Sequence, residues 1–226
     1  MITVHHLNNS RSQRVLWLLE ELELPYEIVP YQRDPKTMMA PPTLRAVHPL
    51  GKSPVITDDG RTVAESGAIL EYLVARYGNG RLAPEPGSDA QLRCTYWLHY
   101  AEASLMPLLF TKLVASRLAH PPVPSLLRPF GRVLGGALES KFLGPQLEAH
   151  YGYIEGELSG RSFFAGDALT AADIQMSFPL EAAHARGGLD GARYPRTVQL
   201  LDRLHARPAY QRALAKGGPL SLGFGG

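Results

Sequence analysis

The sequence predicts a small α/β domain, ordered β-α-β-α-β-β-α, followed by an all-helical domain. Three observations predict it. A short β-branched run, a helix-spaced apolar stretch and a second apolar run after Pro25 make a β-α-β unit at the start of the chain. Asp59-Gly60 marks a hairpin between two short apolar runs. Beyond about residue 88 the apolar residues keep helical spacing to the last stretch of the chain.

The elements follow in order. Ile2 to Leu7 suits a first strand. Asn8-Asn9-Ser10-Arg11-Ser12 is a polar loop offering several helix caps. Val15, Leu16, Leu19 and Leu22 mark an amphipathic helix flanked by Glu20, Glu21 and Glu23, and Pro25 ends it. Tyr26 to Pro30 reads as a second strand, parallel to the first because a helix connects them. From Asp34 to Pro49 the chain is broken by prolines, so a short irregular helix is expected. Pro54 cannot donate to a sheet ladder and must stand at a strand start or edge. Ser66 is placed to cap a helix carrying Ile69, Leu70, Leu73, Val74 and Tyr77. Gly, Pro and Ser collect between residues 78 and 87, which divides the chain into residues 1–80 and 88–226.

In the second part, residues 90 to about 117 carry an apolar face including Leu92, Leu98, Leu105 and Leu109, with a kink expected at Pro107. The run His120-Pro121-Pro122-Val123-Pro124, with Pro129, Gly131, Gly135 and Gly136, predicts an irregular segment that is either a lid or a surface insertion. Further helices are expected over residues 142–158, 172–185 and 197–215, and a mobile tail from Gly217 onward. Leu220 to Phe224 would fold over a pocket or fray. Thr170 and Asp173 form a capping-box pair, with a structural role only.

Composition excludes several classes. The 226 residues are 45% hydrophobic and 19% charged, with 23 basic against 21 acidic side chains. That balance leaves no basic stripe for nucleic acid. No apolar run reaches the roughly 18–20 residues of a membrane span. The single cysteine, Cys94, rules out an internal disulfide and any multi-cysteine metal site, and reads as a small buried hydrophobe. No metal ligand set stands out. The amino terminus lacks a basic region followed by an apolar core, so a cytoplasmic protein is expected.

The segment Gly51 to Ile69 is the most chemically informative. A helix N-terminus at Ser66 presents free N–H groups and a positive dipole end to a carboxylate, and Glu65 beside it suits an ammonium. The pair fits the head group of a free amino acid.

Three blocks, in this order and spacing, carry a resemblance that covers nearly the whole chain. They are Ser10-Arg11-Ser12-Gln13-Arg14-Val15-Leu16-Trp17-Leu18-Leu19-Glu20-Glu21, the Gly51–Ile69 segment, and Phe164-Ala165-Gly166-Asp167-Ala168-Leu169-Thr170-Ala171-Ala172-Asp173-Ile174. The chain resembles the cytosolic glutathione transferases, and the first block is most similar to a serine-type bacterial and fungal branch. The resemblance implies a thioredoxin-like first domain, an all-α second domain and a homodimer. Glutathione is then the cosubstrate and no cofactor is required. The bond before Pro54 would be cis, turning the backbone of Ser53 toward the cysteinyl part of glutathione. Glu65 and Ser66 would hold the γ-glutamyl ammonium and carboxylate. Lys52 would reach the glycine carboxylate, helped by Arg11 or His48; its alternative is a solvated loop lysine.

Conjugation needs a thiolate, and a free thiol near pKa ~8.5 is mostly protonated at neutral pH. A hydroxyl and a helix N-terminus both stabilise the anion. Ser10 is favoured as activator because it lies before the helix, with Ser12 the cap by position and Asn9 a competing donor. His5 and His6 stand where tyrosine-type relatives carry an aromatic hydroxyl, and no cysteine lies near Ser10. Tyr96, Trp97, His99, Tyr100, Glu102 and Met106 crowd one helix, which in the family lines the pocket for a hydrophobic electrophile. Tyr96, His99 and Tyr100 can share a face there; core and dimer packing is the competing assignment. The implied reaction is transfer of glutathione to an electrophilic carbon or reduction of an organic hydroperoxide. A glutathione-dependent disulfide reductase and a non-enzymatic interaction module are the alternatives.

Overall fold

The computed structural model describes residues 1–37 and 39–222. The opening strand β1 (Ile2–Leu7) leads through a loop to helix α1 (Ser12–Glu21) and strand β2 (Tyr26–Tyr31). A 3-10 turn spans Pro42–Ala46. The hairpin strands β3 (Val55–Asp58) and β4 (Arg61–Ala64) precede helix α2 (Ser66–Tyr77). The sheet order is β2-β1-β3-β4. β1 runs parallel to β2, with Ile2 opposite Tyr26, and antiparallel to β3, with His5 opposite Val55. This is the thioredoxin-like arrangement that the element order predicts. Pro30 is tolerated inside β2 because that strand forms a sheet edge. Asp59 and Gly60 both take positive φ, the geometry of the two-residue hairpin that their sequence predicts.

The helical part comprises α3 (Asp89–Tyr100), α4 (Met106–Arg117), α5 (Arg128–Leu138), α6 (Gly144–Glu157), α7 (Ala171–Ala185), α8 (Pro195–His205) and α9 (Pro208–Gly217). The kink expected at Pro107 is a π-helical turn over Ala101–Leu105, closed by a bond from the Met106 N–H to the Ala101 carbonyl. A second one, Glu139–Leu143, stands just before Pro145. The cause is shared: a proline cannot donate and crowds the carbonyl four residues back, and one wider turn relieves both.

Several expectations change. The 128–138 stretch is a helix, not an irregular segment. Pro129 occupies its first turn, where no donor is needed. Gly131 and Gly135 are there for close approach: a Cβ at Gly131 would lie 2.0 Å from the Leu118 carbonyl oxygen and one at Gly135 2.7 Å from that of Ala115. The 197–215 stretch is broken into α8 and α9, because Pro208 starts a new helix. Leu92 is exposed, whereas Leu98, Leu105 and Leu109 are buried as the spacing predicts.

Helix α1 is not amphipathic in the sense expected. Ser12 through Glu20 are all buried, with the sheet, α2, α7 and α9 packed around them. Its carboxylates meet cations of α9: Glu20 pairs with Arg212 at 2.8 Å and Lys216 at 2.5 Å, and Glu21 with Arg207 at 2.5 Å. Burial pushes the Glu20 carboxyl up, but the bonds from Lys216, Tyr26 and Arg212 outweigh it and hold the pKa at about 2.

Asp173 receives the Phe164 N–H at 2.8 Å, the Thr170 N–H at 2.8 Å and the Thr170 hydroxyl at 3.0 Å, completing the capping box of α7. Full burial raises its pKa to about 6 against those donors. Cys94 is buried, and desolvation raises its thiol pKa. Among the described residues no helix is long and apolar enough to cross a membrane.

Candidate functional site: a hydroxyl chain and a buried arginine hub

The loop between β1 and α1 brings Ser10 to the first turn of α1. The Ser10 hydroxyl oxygen accepts the Ser12 N–H at 3.2 Å, so it satisfies one of the free donors of that helix end. Arg11, not Ser12, is the N-cap residue and makes no side-chain cap. The Ser12 hydroxyl is freed for other work. It donates to Nδ1 of His6 at 2.9 Å and stands 2.7 Å from the Ser10 hydroxyl. His6 Nε2 donates in turn to the Gly217 carbonyl at 2.8 Å. Burial lowers the His6 pKa, partly countered by that carbonyl, so the imidazole is neutral at pH 7.

Ser53 joins this cluster from the loop before β3. Its peptide bond to Pro54 is cis, and its hydroxyl donates to the His5 carbonyl at 2.9 Å. The same oxygen accepts from the Leu7 N–H at 3.3 Å and lies 3.4 Å from the Ser10 hydroxyl oxygen. Ser10 is only 5% exposed, with Ser12 and His6 buried around it.

The second cluster is ionic and centres on Arg14. Its guanidinium is buried and reaches three elements: the Gln175 carbonyl of α7 at 2.6 Å, the Ser66 hydroxyl of α2 at 2.9 Å and Glu102 at 2.6 Å. Phe178 covers it, 5.3 Å from the ring centre. Glu102 projects from the π-helical turn, also pairs with Arg11, and accepts from the Ser66 hydroxyl at 3.4 Å. Burial raises the Glu102 pKa, but Arg14 and Arg11 outweigh it and leave the carboxyl below its ordinary value. Desolvation lowers the pKa of Arg14, partly offset by Glu102. Ser66 is the first helical residue rather than the cap; Glu65 precedes it with φ 70° and an exposed side chain. The Ser66 hydroxyl is therefore spent on Arg14 and Glu102. The backbone N–H groups at the start of α2 are left pointing outward from the helix end.

Other predicted residues fall in different places. Lys52 is exposed and has no ionic partner among the described residues. Arg11 pairs with Glu102, which also accepts from the Ser66 hydroxyl. Asn9 takes φ 49°, and its side-chain carbonyl accepts the Ser221 N–H at 2.8 Å. The tail expected to be mobile is thus tied down as far as Leu222, whose carbonyl accepts from Arg186 at 2.9 Å; Gly223 and Phe224 lie outside the described residues. Tyr100 does not join His99 on a pocket wall. It is buried against Trp97 and Tyr153, with its hydroxyl bonded to His150 of α6, while His99 is exposed.

A model described as the glutathione S-transferase N-terminal domain matches residues 10–76, and one for the C-terminal domain matches residues 139–208. Glutathione S-transferase 3 of Schizosaccharomyces pombe is 40% identical over 96% of this chain and 88% of its own length. The chain belongs to the glutathione S-transferase family. Glutathione S-transferase 1 of Saccharomyces cerevisiae is 32% identical over 99% of this chain and 98% of its own. A crystal structure of a glutathione S-transferase from Actinobacillus pleuropneumoniae superposes with a TM-score of 0.79. It is 32% identical and covers 98% of this chain and 95% of its own.

The sequence assigns no role at the site to His6, Arg14 and Gln175, and it places Glu102 on a pocket-lining helix rather than in the ion pair it makes with Arg14. Arg14 had a detectable signal, since a charged residue set directly before the apolar run Val15-Leu16-Trp17-Leu18-Leu19 must find a buried acid. Glu102 is its complement, one turn ahead of Pro107. Gln175 gives no such signal; its buried amide lies near the start of α2, beside Gly67.

Proposed function

We propose that this chain binds glutathione across the two clusters, ionises its thiol at Ser10 and transfers the thiolate to hydrophobic electrophiles. Reduction of organic hydroperoxides uses the same thiolate. The observation that carries the reading is the Ser10 hydroxyl, held at the first N–H of α1 and next to the cis Ser53–Pro54 turn. A hydroxyl and a helix N-terminus aimed at one point lower the cost of a sulfur anion there.

Glutathione is laid out from that point in both directions. Its γ-glutamyl carboxylate takes the N–H groups at the start of α2, and its ammonium takes Glu65. The Ser53 backbone pairs with the cysteinyl residue, and Lys52 takes the glycine carboxylate. Arg14 and Glu102 do not touch glutathione in this arrangement; they fix Ser66 and the turn that carries it. The electrophile enters beside His99 and the exposed side of the α3–α4 helices. A homodimer in the cytoplasm fits the family, and exposed apolar side chains such as Phe110, Phe130 and Phe142 are candidates for its contacts.

The test is binding to immobilised glutathione, followed by conjugation assays of Ser10→Ala, Asn9→Ala and Ser12→Ala with a chloronitroaromatic electrophile. The expected result is binding by all, with the largest rate loss in Ser10→Ala. Absence of binding by the wild type would remove the reading. Binding and disulfide reduction without conjugation would assign the thiolate to the reductase reaction instead.

A further inference from the structure

The hydroxyl chain at Ser10 has a direction, and that direction ends at a base. His6 Nε2 faces a carbonyl, which can only accept, so Nε2 carries the hydrogen and Nδ1 is a bare lone pair. Ser12 then donates to Nδ1 at 2.9 Å in preference to the Leu7 carbonyl at 3.4 Å, and its oxygen accepts from Ser10 at 2.7 Å, closer than Ser53 at 3.4 Å. The sense of the chain is Ser10 to Ser12 to His6 to Gly217. Nothing in the conjugation reaction by itself requires an imidazole behind two serines.

The close approach at Gly217 supports a built feature. It is the last residue of α9, and a Cβ there would lie 2.5 Å from Leu16 Cδ1, 2.6 Å from Gln13 Oε1 and 3.2 Å from His6 Cε1. A side chain at this position would have to displace the ends of Leu16 and Gln13 and crowd the imidazole. The charged groups on the elements packed about His6 are committed elsewhere. On α1, Arg14 is bound to Glu102 and Glu20 to Lys216 and Arg212 of α9; on β1, His5 Nδ1 meets the Tyr31 hydroxyl of β2. His6 is thus a neutral base in a buried, uncharged position.

We propose that His6 is the terminal acceptor for the thiol proton of glutathione, delivered through Ser10 and Ser12. This rests on the reading that glutathione binds with its sulfur at Ser10. The S–H bond breaks and its proton bonds to Ser10 Oγ, while the Ser10 hydrogen passes to Ser12 Oγ and the Ser12 hydrogen to His6 Nδ1. The products are a thiolate and an imidazolium, with no change of oxidation state. The hydrogen bonds from the sulfur to His6 Nδ1 now point the other way, with Ser10 donating to the sulfur anion, while the bond from His6 Nε2 to the Gly217 carbonyl is unchanged. The imidazolium keeps both N–H groups paired, to Ser12 and to Gly217. Its proton leaves to solvent when the thiolate displaces a halide, or to the carbanion when it adds to an activated alkene.

The experiment follows the His6 ring nitrogens by NMR in protein labelled with 15N-histidine, at a pH where free glutathione is mostly thiol. Saturating glutathione should convert Nδ1 from a bare to a protonated nitrogen, while S-methylglutathione, which has no thiol proton, should leave it bare. In parallel, the ultraviolet absorbance of the bound thiolate is titrated in His6→Gln and in Ser12→Ala. Each variant should raise the thiol pKa by about one unit, a tenfold loss of thiolate at neutral pH, while S-methylglutathione binding stays within about twofold. A thiolate formed with Nδ1 still bare would overturn the relay, and so would an unchanged thiol pKa in a folded variant. The NMR arm uses the wild type, so a variant that fails to fold does not block the decision. Failure of glutathione to bind at all would overturn the proposed function and the relay together. Binding with a lowered thiol pKa and a neutral His6 would overturn the relay alone.

Discussion

The two ends of the site are built from opposite materials. At Ser10 every group is neutral: three hydroxyls, an imidazole and backbone. At Ser66 the structure is held by charge, with a buried guanidinium and a carboxylate joining α1, α2, α7 and the π-helical turn. The difference is physical. Hydroxyls can reverse their donor sense at little cost, which suits a group that must answer a change of protonation. A buried ion pair tied to several elements is rigid, and losing one partner strands the other. The first end is built to respond and the second to hold still.

That contrast can be broken. Arg14→Met should have the largest effect, costing about 3 kcal/mol of stability by stranding Glu102 and Ser66, as read by chemical unfolding. The double variant Arg14→Met/Glu102→Gln should cost less than the sum of the single changes. The thiol pKa of bound glutathione in a folded Arg14 variant should stay near that of the wild type. Ser10→Ala should do the reverse. A loss of about 100-fold in kcat/KM is expected, with an unfolding midpoint close to the wild type. Unchanged stability in Arg14→Met, or a large stability loss in Ser10→Ala, would erase the distinction between the two ends.

Asp173→Ala serves as a control outside both clusters. It removes the acceptor for three donors and should cost about 2 kcal/mol, with KM for glutathione within about twofold of the wild type. Lys52→Ala should have the smallest effect, because the ammonium is exposed and any pairing with the glycine carboxylate is screened. About a threefold rise in KM is expected, shrinking at high salt.

The same contrast explains what was legible in the sequence. Strand and turn chemistry at Ser53-Pro54 and Asp59-Gly60 is local, and the hairpin stands where those residues put it. The capping box of α7 was legible for the same reason. Long-range partners were not. Glu102 lies 88 residues from Arg14, and only folding reveals that one serves the other. Gly217 lies 211 residues from His6 and reads as the start of a tail, although it is the acceptor that sets the imidazole tautomer. Glycine and proline in α5 were misread because two causes give the same letters: a loop that needs freedom, and two helices that need to touch. Ser12 and Ser66 were read as caps because serine favours that position; in both, tertiary partners take the hydroxyl.

The central claim is that Ser10 and the start of α1 lower the thiol pKa of glutathione. The most direct measurement is the ultraviolet absorbance of the thiolate in the wild-type complex, followed against pH. The prediction is an apparent pKa at least one unit below the ~8.5 of a free thiol, restored toward that value in Ser10→Ala. A bound thiol that titrates like free glutathione in the wild type would contradict the account.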